Sequence, residues 1–168
     1  YFLSGYDKLW FTNNRGQNYQ LIYTFSNGGN GLHLAGAFFD GNFIYAGTSA
    51  GMLYSGNAGT LWIPMTLPGW ASGHGMASFA GARDGNSVKL FAIAMPQADL
   101  YAGITGADFS ASSGIYVSDG ASTSWTQRMN GVTAGDQFFF TACAQNDVNT
   151  VYAAGGNTNT GVPVLYKS

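Results

Sequence analysis

A polar octet recurs along this chain, and its recurrence limits the available folds more than any other feature. Ser55-x-Asn57-x-Gly59-x-x-Trp62, in SGNAGTLW, matches Thr12-x-Asn14-x-Gly16-x-x-Tyr19 in spacing, with conservative replacements. A degenerate third copy runs from Ser118 to Trp125 as SDGASTSW, with Asp119 one place early and Ser122 in place of the glycine. Repetition of this kind marks architectures in which each unit buries its apolar face only against a neighbouring unit.

The stretches before each octet repeat as well. AGAFFDGNFIYAG (35–47) lines up with AGARDGNSVKLFAIA (80–94) and more loosely with ACAQNDVNTVYAAG (142–155). Each is an apolar run, a turn of Asp, Gly or Asn, and a second apolar run, which is a hairpin signature. The unit is therefore strand A, turn, strand B, loop, strand C, polar octet, strand D, recurring at about 45 to 60 residues. Glycine interrupts almost every window and no 3.6-residue apolar period persists, so no helix is expected. Four-stranded units of this length predict an all-β chain of propeller blades.

The octets carry a resemblance. MLYSGNAGTLW and GIYVSDGASTSW resemble the Asp-box (BNR) repeat, S-x-D-x-G-x-x-W, of sialidases, sortilin-type receptors and xyloglucan-cleaving propellers. Asn14 and Asn57 stand where that family usually has Asp. The likeness implies a fold rather than an activity: a short polar side chain bonds nearby amides, glycine supplies a positive φ, and the aromatic wedges beneath. The expected structural residues are Thr12, Asn14, Gly16 and Tyr19; Ser55, Asn57, Gly59 and Trp62; and Ser118, Asp119 and Trp125.

Strand counting assigns blades to about 1–24, 33–66, 77–129 and 137–168, or roughly three and a half four-stranded antiparallel blades with Asp-box turns. The first lacks strand A and the last lacks strand D. Those two gaps do not close one ring, so the expected partner is the remainder of a propeller or another chain. The sequence opens on Tyr1 rather than Met, which reads as processing or truncation.

The resemblance also implies where a ligand sits. Octets occupy the C-to-D turns on one rim, and the B-to-C and D-to-A loops occupy the opposite rim, where propeller ligands usually bind. Trp70 and His74 from LPGWASGHG (67–75), with Asp99, Tyr101, Asp108 and Phe109 from the insert at 96–114, are the candidate ligand residues for a glycan or a protein. The alternative is that these aromatics pack the loops onto the blade, and the insert is either a loop or an added hairpin.

Catalysis finds little support. Glycoside hydrolysis needs two carboxyl groups about 5 to 10 Å apart, and the chain has no Glu, leaving Asp99 with Asp108 as the same-loop pair. The arginine triad and Tyr-Glu pair of sialidases have no match. GTSAG (47–51) fits the G-x-S-x-G string, but it joins two strands rather than a strand to a helix. Two His, at 33 and 74, are too few for a His-based zinc site, and no phosphate loop is present. No catalytic residue, metal or cofactor is assigned, although half of a propeller glycosidase, with acids supplied elsewhere, stays open as an alternative.

Composition narrows the setting. Only 8% of residues are charged, against roughly 25% in an average soluble domain. The six basic residues are scattered in sequence, so nucleic acid is not an expected partner. No apolar run approaches the roughly 20 residues of a membrane-spanning helix. Cys143 is the single cysteine and reads as strand packing. Low charge with abundant Asn, Gly and Thr resembles exported bacterial β proteins, so an extracellular, cell-surface or periplasmic location is expected. The leading reading is a non-catalytic recognition or scaffold module; the others are a glycosidase fragment and a structural subunit of a surface assembly.

Overall fold

The structure, a computed structural model, describes residues 1–26, 31–100, 112–120 and 124–168. Among them, fourteen strands form four antiparallel sheets in chain order. The first sheet is β1 (Phe2–Ser4), β2 (Lys8–Phe11) and β3 (Gln20–Thr24). The second is β4 (Leu34–Asp40), β5 (Phe43–Thr48), β6 (Gly51–Ser55) and β7 (Ile63–Met65). The third is β8 (His74–Asp84), β9 (Ser87–Pro96), β10 (Gly114–Asp119) and β11 (Trp125–Gln127). The fourth is β12 (Asp136–Cys143), β13 (Val151–Asn157) and β14 (Pro163–Lys167). Every strand pairs with its neighbour in sequence.

Local chemistry explains the hairpins. Asp40 pairs with Phe43 and Asp84 with Ser87, leaving the two-residue loops Gly41-Asn42 and Gly85-Asn86. Gly41 and Gly85 have φ of 60° and 57°, at the first central position, where a type II′ hairpin turn requires glycine. Burial follows the sheets. β9 is buried without a break from Leu90 to Met95 because both its faces are covered, whereas β14 alternates exposed and half-buried residues.

The core is layered between sheets. Leu9, Ala46 and Leu53 join the first sheet to the second; Phe38, Tyr45 and Met52 meet Met76, Phe79 and Leu90 between the second and third. Phe91 with Val151, and Ile93 with Phe138, fill the space between the third and fourth.

The strands β4, β8 and β12 lie side by side. A Cβ on Gly47 would stand 2.6 Å from Cβ and Cγ of Phe79, and one on Gly81 would stand 2.5 Å from the Phe38 ring. The two phenyl rings thus seat reciprocally on bare backbone of the facing sheet. On the other side, Thr141 N–H donates to Ser78 Oγ at 3.0 Å, tying β12 to β8. Consecutive antiparallel sheets in contact through their innermost strands are propeller blades, so this chain is a β-propeller segment. Among the described residues the first sheet has no strand inside β1 and the fourth none outside β14, so these two strands are edges.

Two details differ from the sequence reading. Residues 97–100 form one helical turn directly after β9 ends at Pro96, and Gln97, Ala98, Asp99 and Leu100 follow without a glycine. His74, expected in the preceding loop, is the first residue of β8, paired with Pro96.

Candidate functional site

The first two octets form the same polar corner. Thr12 Oγ1 accepts the Gly16 N–H at 3.1 Å and donates to Asn14 Oδ1 at 2.7 Å, and Asn14 Oδ1 accepts the Asn18 N–H at 3.0 Å. In the second, Ser55 Oγ accepts from Gly59 N at 2.9 Å and donates to Asn57 Oδ1 at 3.0 Å, which accepts from Leu61 N at 2.9 Å. The left-handed pairs Arg15-Gly16 and Ala58-Gly59 complete the match. Trp62 Nε1 donates to Gly59 O at 2.9 Å, and its ring meets Phe2 and Phe11 edge-on. In each corner the hydroxyl and the asparagine Oδ1 are spent on each other and on nearby backbone amides. In the third octet Ser118 and Trp125 are buried, and residues 121–123 lie outside the described residues.

The opposite rim gathers part of the candidate ligand set. Trp70 packs against Tyr116 at 4.8 Å and Trp125 at 5.2 Å, and its indole N–H donates to His74 O at 3.0 Å. The ring therefore lies in the layer between the second and third sheets. His74 Nδ1 faces Ser72 O at 2.8 Å; a carbonyl only accepts, so the proton sits on Nδ1 and Nε2 accepts from Ser113 Oγ at 2.6 Å. This Ser-His pair has a backbone carbonyl where a hydrolytic triad has a carboxylate, and it fastens the start of β10 to the start of β8. Asp99 is half-buried on the helical turn. Tyr101, Asp108 and Phe109 lie outside the described residues. Ser49, the central residue of GTSAG, is buried and accepts from His33 N at 3.0 Å.

A rim carboxylate that sequence reading passed over is Asp136. It is buried, its Oδ1 accepting from Asn157 Nδ2 at 2.6 Å and its Oδ2 from the Tyr166 hydroxyl at 2.5 Å. Asn157 Oδ1 in turn accepts from the amides of Asn159 and Thr160, so the trio holds the β13–β14 turn. No group of three or more metal-ligating side chains gathers among the described residues.

The terminal sheets present a different kind of surface. On the first, Leu3, Trp10 and Leu21 form one cross-strand row, with Leu3 and Leu21 51% and 48% exposed. On the fourth, Phe140, Ala154 and Leu165 form the corresponding row, with Phe140 and Leu165 69% and 70% exposed. Isolated exposed apolar residues are ordinary, but rows of them across a sheet are not. A groove of about 770 Å³ also opens between the third and fourth sheets, with Phe91, Val117, Lys89, Arg128, Tyr166 and Lys167 on its walls.

No protein-family model matches the chain, and no curated protein matches it. Among solved structures, YCF48 bound to D1 peptide is similar at 13% identity and a TM-score of 0.37, over 98% of this chain and 64% of that one. YCF48 from Cyanidioschyzon merolae is similar at 15% identity and a TM-score of 0.47, over 96% of this chain and 53% of that one. The chain thus spans about 64% and 53% of the lengths of these two proteins.

Proposed function

We propose that this chain is a non-catalytic Asp-box propeller segment, a recognition or scaffold module of an exported or cell-surface protein, and that a protein surface covers its terminal sheets. That surface is the remainder of a propeller or another chain. The observation that carries the reading is the pair of apolar rows, Leu3-Trp10-Leu21 and Phe140-Ala154-Leu165, each on the outward face of a terminal blade. Inside the molecule the equivalent faces are where blades join. The corners at Thr12 and Ser55 support the Asp-box reading through their matched hydrogen bonds, and the low charge supports export.

Sedimentation velocity on the purified chain tests this reading. The expected result is concentration-dependent association, abolished in a Leu21→Asp, Leu165→Asp double variant whose circular dichroism is unchanged. A chain that stays monomeric across the whole concentration range, with no substitutions, overturns it.

A further inference from the structure

The space between the second and third sheets has a four-stranded sheet on either side. Phe43 and Tyr45 share one face of β5, and Tyr54 pairs with Tyr45 from β6, so three aromatic rings line the wall that looks toward the third sheet. Phe43 is 41% exposed and stacks on Tyr54 at 6.2 Å and 17°, while Tyr45 lies tilted against Tyr54 at 5.2 Å. Arg83, Asn86, Ser87 and Val88, from the hairpin that joins β8 to β9, form the facing wall of a cleft of about 610 Å³. It opens at the octet rim, where that hairpin turn and Gly120, just past β10, both lie.

The preceding joint shows what closing such a space takes. Phe11 holds the place of Tyr54, directly before the corner hydroxyl, and is only 4% exposed. Bare Gly59 of the second octet lies on its ring, where any Cβ would overlap the ring carbons, and Trp62 meets it edge-on. The third octet has Ser122, outside the described residues, in place of that glycine. The ring that corresponds to Phe11, Tyr54, is half-buried and stands on the cleft wall.

The polar groups of the cleft favour a ligand that accepts hydrogen bonds and brings few donors. Arg83 has no acceptor atom; its Nε meets Asp40 Oδ1 at 2.7 Å and its Nη1 the Gly85 carbonyl, which leaves Nη2 for a ligand. Among the described residues, the hydroxyls of Tyr45, Tyr54 and Ser87 and the side-chain amide of Asn86 bond no partner, and each can donate. The two carboxylates beside the cleft are already answered, Asp40 by Arg83 and Asp119 by Lys89, with which it stands in register. A carboxylate ligand therefore meets no surplus cation, and a sugar, whose every hydroxyl donates as well as accepts, meets no open carboxylate. An ordinary extended peptide brings a backbone N–H at each residue that needs an acceptor, and proline brings none.

We propose that this cleft binds a proline-rich segment of another protein in the polyproline II conformation. The proline rings lie against Phe43, Tyr45 and Tyr54, and the segment's carbonyls, which have no partner within a polyproline II helix, accept from Arg83 Nη2, Asn86 and the tyrosine hydroxyls. A segment already extended in this way loses little conformational freedom on docking. The proposal rests on the recognition-module reading above and names a partner class for a site away from the terminal sheets.

The test uses the 168-residue chain and a fluorescein-labelled peptide of about eight prolines, nearly three turns of the helix, with a Gly-Ser peptide of equal length as control. Fluorescence anisotropy is expected to show the proline peptide binding at least about tenfold more tightly than the Gly-Ser peptide, with an affinity that added salt leaves unchanged because the ligand is uncharged. Phe43→Ala and Asn86→Ala, at exposed positions, are each expected to weaken the proline peptide at least about fivefold at unchanged thermal midpoint. In the unsubstituted chain, NMR is expected to show the Tyr54 ring and Val88 methyl signals shifting as the peptide saturates, while the Tyr152 ring signals, on the fourth sheet, stay in place. Absence of binding, equal affinity for the two peptides, tighter binding of an acidic peptide or of cellotetraose, or shifts at Tyr152 instead of Tyr54 overturns the proposal. Sedimentation reads the terminal sheets separately: absent peptide binding with association intact rejects the cleft alone, and peptide binding by a chain that never associates rejects only the covering of those sheets.

Discussion

Ser55 and Thr12 each hold a whole corner through one hydroxyl, which accepts a glycine amide and donates to an asparagine carbonyl. Replacing Ser55 by Ala leaves the buried Gly59 N–H without its acceptor, at a cost of about 1 to 3 kcal/mol. Ser55→Thr, which copies Thr12, is expected to recover most of that in urea unfolding. Cys143 shows a second single-residue effect: burial foremost, and the neighbouring Asp147 after it, push its thiol pKa up. Alkylation by iodoacetamide at neutral pH is expected to be slower than in the denatured chain. The unfolded thiol then ionises first as pH rises, so the folded chain binds more protons and this contribution to stability falls from roughly pH 9 upward. The corners were legible in the sequence because every bond in them spans four residues or fewer. Asp136 was not, because its partners stand 21 and 30 residues away. Trp70 offered its indole to either a ligand or a packing layer, and only the position of Tyr116 and Trp125 decides where the ring lies.

Between elements, the reciprocal seating of Phe38 on Gly81 and Phe79 on Gly47, with the Phe79 main-chain carbonyl against Gly36, sets how closely the second and third blades approach. A methyl group at Gly47 meets the Cβ and Cγ of Phe79, which are too near the backbone to swing aside. Gly47→Ala is expected to cost about 1 to 3 kcal/mol through overpacking. In a double-mutant cycle with Phe79→Ala, the combined loss is expected to be smaller than the sum of the two single losses, because the contacts with the ring carbons are removed and only that with the Phe79 Cβ remains. The strands themselves were readable from their Asp-Gly-Asn turns and apolar runs. The glycines that let the sheets approach were visible only as repeated letters, since a single sequence does not state which ring lies over which backbone. The helical turn at 97–100 escaped notice because four residues are too few to establish a period.

Across the whole molecule, the second and third blades are covered on both faces and the outer two on one. Native-state hydrogen exchange is expected to rank them accordingly: the amides of β5, β6, β8 and β9 exchange only on global opening, while those of β1, β3 and β14 exchange through local fraying. Uniform protection across all four sheets would show instead that they open as one unit. The gaps at the two terminal blades could be inferred by counting strands, whereas the clustering of Lys89, Arg128 and Lys167 could not, since 39 and 78 positions part them from the first in the chain. Pairing strictly between sequence neighbours has one more effect. A ribosome can release this chain strand by strand, each finding its hydrogen-bonding mate in the segment made just before it, so sheet formation keeps pace with synthesis and the slower event is the stacking of finished sheets.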